Sequence, residues 1–138
     1  MPVNHLSILL LLAGYSLVAV SQDNSLSELY MSSVFTPVSS FTSGVEGPAV
    51  DKSGNVYAVN FNHQGTIGRV SAEGQPEVFI DLPGGSIGNG IRFDSHGNML
   101  IADYTNHNVL KVDMSTKKIS VFAHEPCMHQ PTSVSLKY

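Results

Sequence analysis

Apolar residues in this chain come in short runs, and the runs recur. Val56 and Ala58, then Val78 and Ile80, alternate with residues of other character, the period-two pattern of a strand with two unlike faces. Turn signals punctuate them: Asp51-Lys52-Ser53-Gly54, Asn62-His63-Gln64-Gly65 and Glu73-Gly74-Gln75-Pro76. In the first of these, Asp accepts backbone N–H bonds and Gly takes the left-handed position. The spacing predicts strands near 48–51, 55–60, 66–71 and 76–81. Further on it predicts a strand starting near Asn89 and others at Asn98 to Asp103, His107 to Asp113 and Lys118 to Ala123. No helical period runs through this region, so the expectation is all-β, built of antiparallel meanders.

The second group of strands copies the first. Asp51 to Asn60 is answered by Asp94 to Asp103, Val78-Phe79 by Val121-Phe122, and Pro83 by Pro126, always at an offset of 43 residues. A repeat of ~40–45 residues made of short strands marks a β-propeller blade. The predicted fold is therefore a partial β-propeller of about two blades plus the first strand of a third. The repeats occupy 46–88 and 89–131, with a truncated third from 132, inside a propeller region of 45–138. Whole propellers have about four to eight blades. Two blades alone would leave one apolar face of each sheet open, around Val50, Val56, Ile91, Ile101 and Val121. Open faces of that kind would support self-association, for example three chains completing one ring.

The first 44 residues follow a different pattern. Leu6 to Val20 is almost wholly apolar, and Ala19 and Ser21 are small residues ahead of Gln22. That is the shape of a signal peptide over 1–21, too short to span a membrane, and it implies a secreted, extracellular or periplasmic protein. Residues 22–44 read as a lead-in, with a helical turn at Ser25 to Met31 and an outer strand at Val34-Phe35. Net charge is −4 and the seven Lys and Arg are scattered, so neither nucleic acid nor an anionic membrane is an expected partner. Cys127 is the only cysteine; no internal disulfide can form, and packing or metal must hold the fold. His124, Cys127 and His129 match no closed zinc spacing. Leu82 to Gly88 is glycine-rich but precedes no helix, so it reads as a flexible loop between blades. His63, His96 and His107 read as solvated.

One column of the repeat carries chemistry: Glu46, Asn89 and Thr132, each 43 residues apart and each where the first strand of its repeat begins. In a propeller that strand is innermost and its start faces the central channel. Converging oxygen ligands there would suit a hard cation such as Ca²⁺. The competing readings are a solvated loop carboxylate for Glu46 and a turn former for Asn89.

Val45-Glu46-Gly47-Pro48-Ala49-Val50-Asp51, followed by Gly54-Asn55-Val56-Tyr57, resembles the opening motif of the gluconolactonase / regucalcin (senescence marker protein) superfamily. Diisopropyl fluorophosphatase is a relative. The likeness runs through Gly90-Ile91-Arg92-Phe93-Asp94 to His129-Gln130-Pro131, roughly 45–134. It implies a six-bladed propeller holding Ca²⁺ or another divalent ion, and hydrolysis of small-molecule lactones or esters assisted by that ion. Glu46 then matches the family's first metal-binding glutamate. Where the family has Pro-Asn-Asp, this chain has Pro131-Thr132-Ser133, so Thr132 is a weak ligand at best. Asn89 would line the substrate pocket. The family's acid/base residue lies in blades absent here; the catalytic residue is unknown, and the chain is expected to be inactive alone. Ala102 to Asp113 also resembles an NHL repeat, which implies the alternative of a non-catalytic binding propeller.

Overall fold

The computed structural model describes residues 31–136, nearly all of which fall in one compact unit, Val34–Tyr138. The signal peptide, most of the expected turn at Ser25 to Met31, and Lys137 lie outside the described residues. Among those described there is no helix. Eight strands form two four-stranded antiparallel sheets in simple sequence order. The first holds β1 (Ala49–Val50), β2 (Val56–Val59), β3 (Thr66–Val70) and β4 (Pro76–Asp81). The second holds β5 (Gly88–Phe93), β6 (Met99–Asp103), β7 (Asn108–Val112) and β8 (Ile119–His124).

The duplicated turn is built twice from the same parts. The Asp51 carboxylate accepts the N–H groups of Ser53 at 2.8 Å and Asn55 at 2.9 Å, and Gly54 sits at φ 84. Asp94 accepts from His96 at 2.9 Å and Asn98 at 2.8 Å, with Gly97 at φ 83. Each carboxylate fixes a reversal that feeds the second strand of its sheet.

The core lies between the sheets. Tyr57, Val59, Ile67 and Phe79 of the first cluster with Ile91, Met99, Ile101, Leu110 and Val112 of the second. Each such side chain contributes about 1.5–3 kcal/mol by leaving water. Tyr57 meets Phe79 and Phe93 edge-on, with centroids 5.1 and 5.4 Å apart. Ile91 and Ile101, expected on an open face, are therefore buried; Val50 and Val121 do remain exposed. The inner strands also depart from simple alternation. All of β6 and most of β2 are buried, because both faces of these strands are covered. The outer strands β4 and β8 are largely exposed.

The lead-in covers the far side of the first sheet. Val34-Phe35 forms no strand, since it has no ladder partner. Instead Phe41 makes an isolated antiparallel bridge to Phe61, and their rings meet edge-on at 5.0 Å. Gly68 leaves room for this: a Cβ there would lie 2.6 Å from Phe61 and 2.8 Å from Phe41.

The expected first strand of a third blade does not form: 131–136 carries no strand. A strand is defined by its ladder, and by the repeat register the partner would fall beyond residue 138. The segment still docks as a third blade would begin. Thr132 and Ser133 place backbone atoms 2.6 and 2.9 Å from a Cβ built on Gly90, and Asn89 and Gly90 meet Gly47 in the same manner.

Candidate functional site

Glu46 and Asn89 share one cleft of about 230 Å³ between the two sheets, together with Asn60, Gln64 and Tyr104. Backbone bonds fix its floor. The Val59 N–H donates to the Glu46 carbonyl at 3.3 Å, and the Tyr104 N–H to the Ile87 carbonyl at 2.8 Å. Gly47, at φ 55, lets the Asn89–Gly90 backbone approach, so the innermost strands of the two sheets lie side by side at the cleft. Thr132 is exposed and does not line this cleft. Its neighbours Ser133 to Leu136 border another, with Arg92 and Phe93.

Glu46 and Gln64 are exposed and open to water, and Asn89 and Tyr104 are half-buried. Among the described residues, neither the Glu46 carboxylate, the side-chain amides of Gln64 and Asn89, nor the Tyr104 hydroxyl makes a side-chain hydrogen bond. Asn60 is 5 % exposed, and its Oδ1 is buried with no partner. Leaving such an acceptor unpaired costs about 1–3 kcal/mol. Asn60, Gln64 and Tyr104 are not among the sequence candidates. A signal for Asn60 was present, because it answers Asp103 at the 43-residue offset.

Asp103 shows what that register does when it is structural. It is fully buried, and its carboxylate accepts from Ser86 Oγ at 2.7 Å, Asn108 Nδ2 at 3.1 Å, the Asn106 N–H at 3.2 Å and Thr105 Oγ1 at 3.1 Å. Burial pushes its pKa up, but these donors outweigh burial and hold it below the ordinary carboxylate value. The same contacts order the glycine-rich Leu82 to Gly88 stretch, since Ser86 is buried and bonded to Asp103; it is a tied turn rather than a free loop. His107 is likewise engaged, 2.6 Å from the Met128 carbonyl through Nδ1, and His124 lies 2.8 Å from Asn108 Oδ1.

A divalent ion can be tested against these donors. No three His, Cys, Asp or Glu side chains cluster among the described residues. The cleft offers one exposed carboxylate and the side-chain amides of Gln64 and Asn89; the Asn60 Oδ1 is closed to solvent. An all-oxygen set with a single charge fits a hard cation that keeps much of its water, and fits a thiophilic metal poorly.

No protein-family profile matches the chain, and no curated protein sequence does. Solved structures do. A catalytically inactive variant of virginiamycin B lyase from Staphylococcus aureus, with quinupristin, is 20% identical with a TM-score of 0.54. The selenomethionine form of the same enzyme is 18% identical with a TM-score of 0.51. In both cases the match covers 64% of this chain and 30% of the lyase chain, so this chain corresponds to under a third of that protein's length. At this identity the likeness concerns the fold: the chain is a partial β-propeller of about two blades.

Proposed function

We propose that the chain is part of a secreted, gluconolactonase-like hydrolase acting on small-molecule lactones or esters with Ca²⁺ or another divalent cation. The observation that carries the reading is the shared cleft. Glu46 and Asn89, a full repeat apart in sequence, line one solvent-open space. Glu46 and Asn89 thereby face a common space that a ligand could enter from solvent, whereas the buried Asp103 is satisfied internally.

In this reading Glu46 supplies the anionic ligand, and Thr132 contributes at most a distant neutral oxygen. A divalent ion bound here would polarise an ester carbonyl and acidify a bound water. Asn89 and Gln64 present amides that can hold the polar edge of a lactone, and the Tyr104 ring offers an apolar wall against its carbon face. None of the described residues is assigned the acid/base role, so binding is the step that this reading tests.

Amide NMR spectra of the chain, titrated with millimolar Ca²⁺ and then with a simple aldonolactone, test this. Shifts confined to Gly44–Glu46 and Ile87–Asn89, and abolished in Glu46→Gln, are expected. Shifts scattered over the surface, or none at all, would remove the hydrolase reading and favour the binding-propeller alternative.

A further inference from the structure

The second sheet carries outward the same register that the first sheet turns inward. Strand pairing sets Ala49, Tyr57, Arg69 and Glu77 in one row across the first sheet. Arg92, Leu100, Lys111 and Ser120 form the matching row of the second. Tyr57 belongs to the core between the sheets and meets Phe93, so the first row faces the second sheet. In the second sheet Ile91, Ile101 and Leu110 fill that core, so their neighbours Arg92, Leu100 and Lys111 turn to the other side. The outer aromatics repeat too: Phe79 and Phe122 are each the extra residue at the bulge between the third and fourth strands of their sheets. Phe79 is buried beneath Lys117, while Phe122 and Val121 are exposed.

What covers Phe79 indicates what fits Phe122. Lys117 stands in the β7–β8 turn at φ 56, and Gly74 stands in the corresponding β3–β4 turn at φ 82. Gly74 has no side chain to lay over an aromatic ring, but Phe35 packs on it. The Phe35 carbonyl lies 2.5 Å and its ring 3.6 Å from a Cβ built on Gly74, and the side chain is still 53 % exposed. The charges are complementary as well. The β3–β4 turn carries the exposed Glu73, and the cation above Phe122 is Lys111, 5.9 Å from the ring centroid, with the exposed Arg92 in the same row. We infer that the open face of the second sheet binds a second copy of this chain, which presents its β3–β4 turn and the lead-in around Phe35. The sheet-on-sheet contact within the chain is then repeated between chains. Because the two surfaces differ, the contact is heterologous and leads on from copy to copy. It is independent of the Glu46 reading.

Sedimentation equilibrium of the full chain, beside Phe122→Asp and Phe35→Asp, tests this. Both residues are exposed, so neither substitution empties the core, and circular dichroism checks that each variant is folded. The wild type is expected to associate reversibly as its concentration rises. Each variant alone should associate roughly tenfold more weakly, as for the loss of an aromatic anchor. Mixed together, the two variants regain one good contact, between the intact Phe122 face of one and the intact Phe35 side of the other, and should stop at a dimer. Glu73→Lys should also weaken association, because it sets like charges against each other at Lys111. A wild type that stays monomeric would overturn the inference. So would association untouched by both aspartate variants, or by Glu73→Lys. Association lost in Phe122→Asp but kept in Phe35→Asp would mean a face-to-face dimer and would overturn it too, as would a mixture that remains monomeric. If Phe35→Asp does not fold, Val38→Asp takes its place on the same exposed segment.

Discussion

Lys117, in the turn between β7 and β8, reaches across to Phe79 of β4. Its ammonium lies 4.8 Å from the ring centroid and donates to the Phe79 carbonyl at 3.2 Å. Phe79 is 6 % exposed under this cover, whereas Phe122, its counterpart in the second sheet, is 60 % exposed. The outer aromatic of the first blade is thus closed by a turn of the blade after it. Lys117→Ala should lower stability by about 1 kcal/mol, through the lost cation–π contact and the lost stem packing. Lys117→Met, which keeps the stem, should recover part of it. Urea denaturation of the two variants measures both.

The glycines at the blade starts make a sharper prediction. At Gly47 and Gly90 a Cβ would run into the backbone of the next repeat, and Gly47 is also at φ 55. Gly97 is at φ 83 but has nothing within 4 Å of a Cβ. Gly97→Ala should cost about 1 kcal/mol from backbone strain alone. Gly90→Ala should cost about 1–3 kcal/mol from the clash, and Gly47→Ala more, since it suffers both. Equal midpoint shifts for Gly97→Ala and Gly47→Ala would mean that the inner strands do not touch in solution.

Removal of the Phe41 ring should uncover the far side of the first sheet. The ring is half-buried against Phe61 and Gly68. Phe41→Ala should therefore destabilise by about 2 kcal/mol, below the usual range for a fully buried Phe. Hydrogen exchange should accelerate in β2 and β3 before β6 and β7.

Acid should weaken the fold through its aspartates. Asp51, Asp94, Asp103 and Asp113 are all held below the ordinary value of 3.8. Burial opposes this at Asp94, but Asn98 and Lys111 outweigh it and bring the carboxyl to about 2; Ser115 and Thr116 bring the more exposed Asp113 to about 2 as well. A carboxylate with a depressed folded-state pKa gives its full stabilisation above the unfolded value. That stabilisation is lost as pH falls from near 4 towards 2. The unfolding midpoint should be flat above about pH 5 and drop steeply below 4. In Asp103→Asn, which cannot titrate, the drop should be shallower.

The strands were legible because two features agreed: period-two runs and a turn whose Asp and Gly recur 43 residues later. Observed boundaries fall within a residue or two of those expected, as at β2 and β6. Glu46 and Asn89 were legible as one column for the same reason. Thr132 shares that column in sequence, but its segment has no sheet to hold it, and repeat arithmetic contains no such information. The Phe41 cap was hidden because a single cross-strand contact leaves no period. The orphaned Oδ1 of Asn60 was hidden because sequence shows which residues can accept a hydrogen bond, not which one lacks a donor. Asp103, within the Ala102 to Asp113 stretch, carries a hydrogen-bond network that its sequence neighbours alone do not reveal, since Ser86 lies in the preceding loop.

Thermal unfolding of the chain with and without Ca²⁺, beside Glu46→Ala, shows whether Glu46 holds an ion. An ion that binds the native state alone must raise the midpoint, by about 2.7 kcal/mol of stability at a hundred times the dissociation constant. If Glu46 is a ligand, one cooperative transition moves upward with Ca²⁺ in the wild type and stays in place in Glu46→Ala. An equal shift in both chains, or no shift in either, would contradict it.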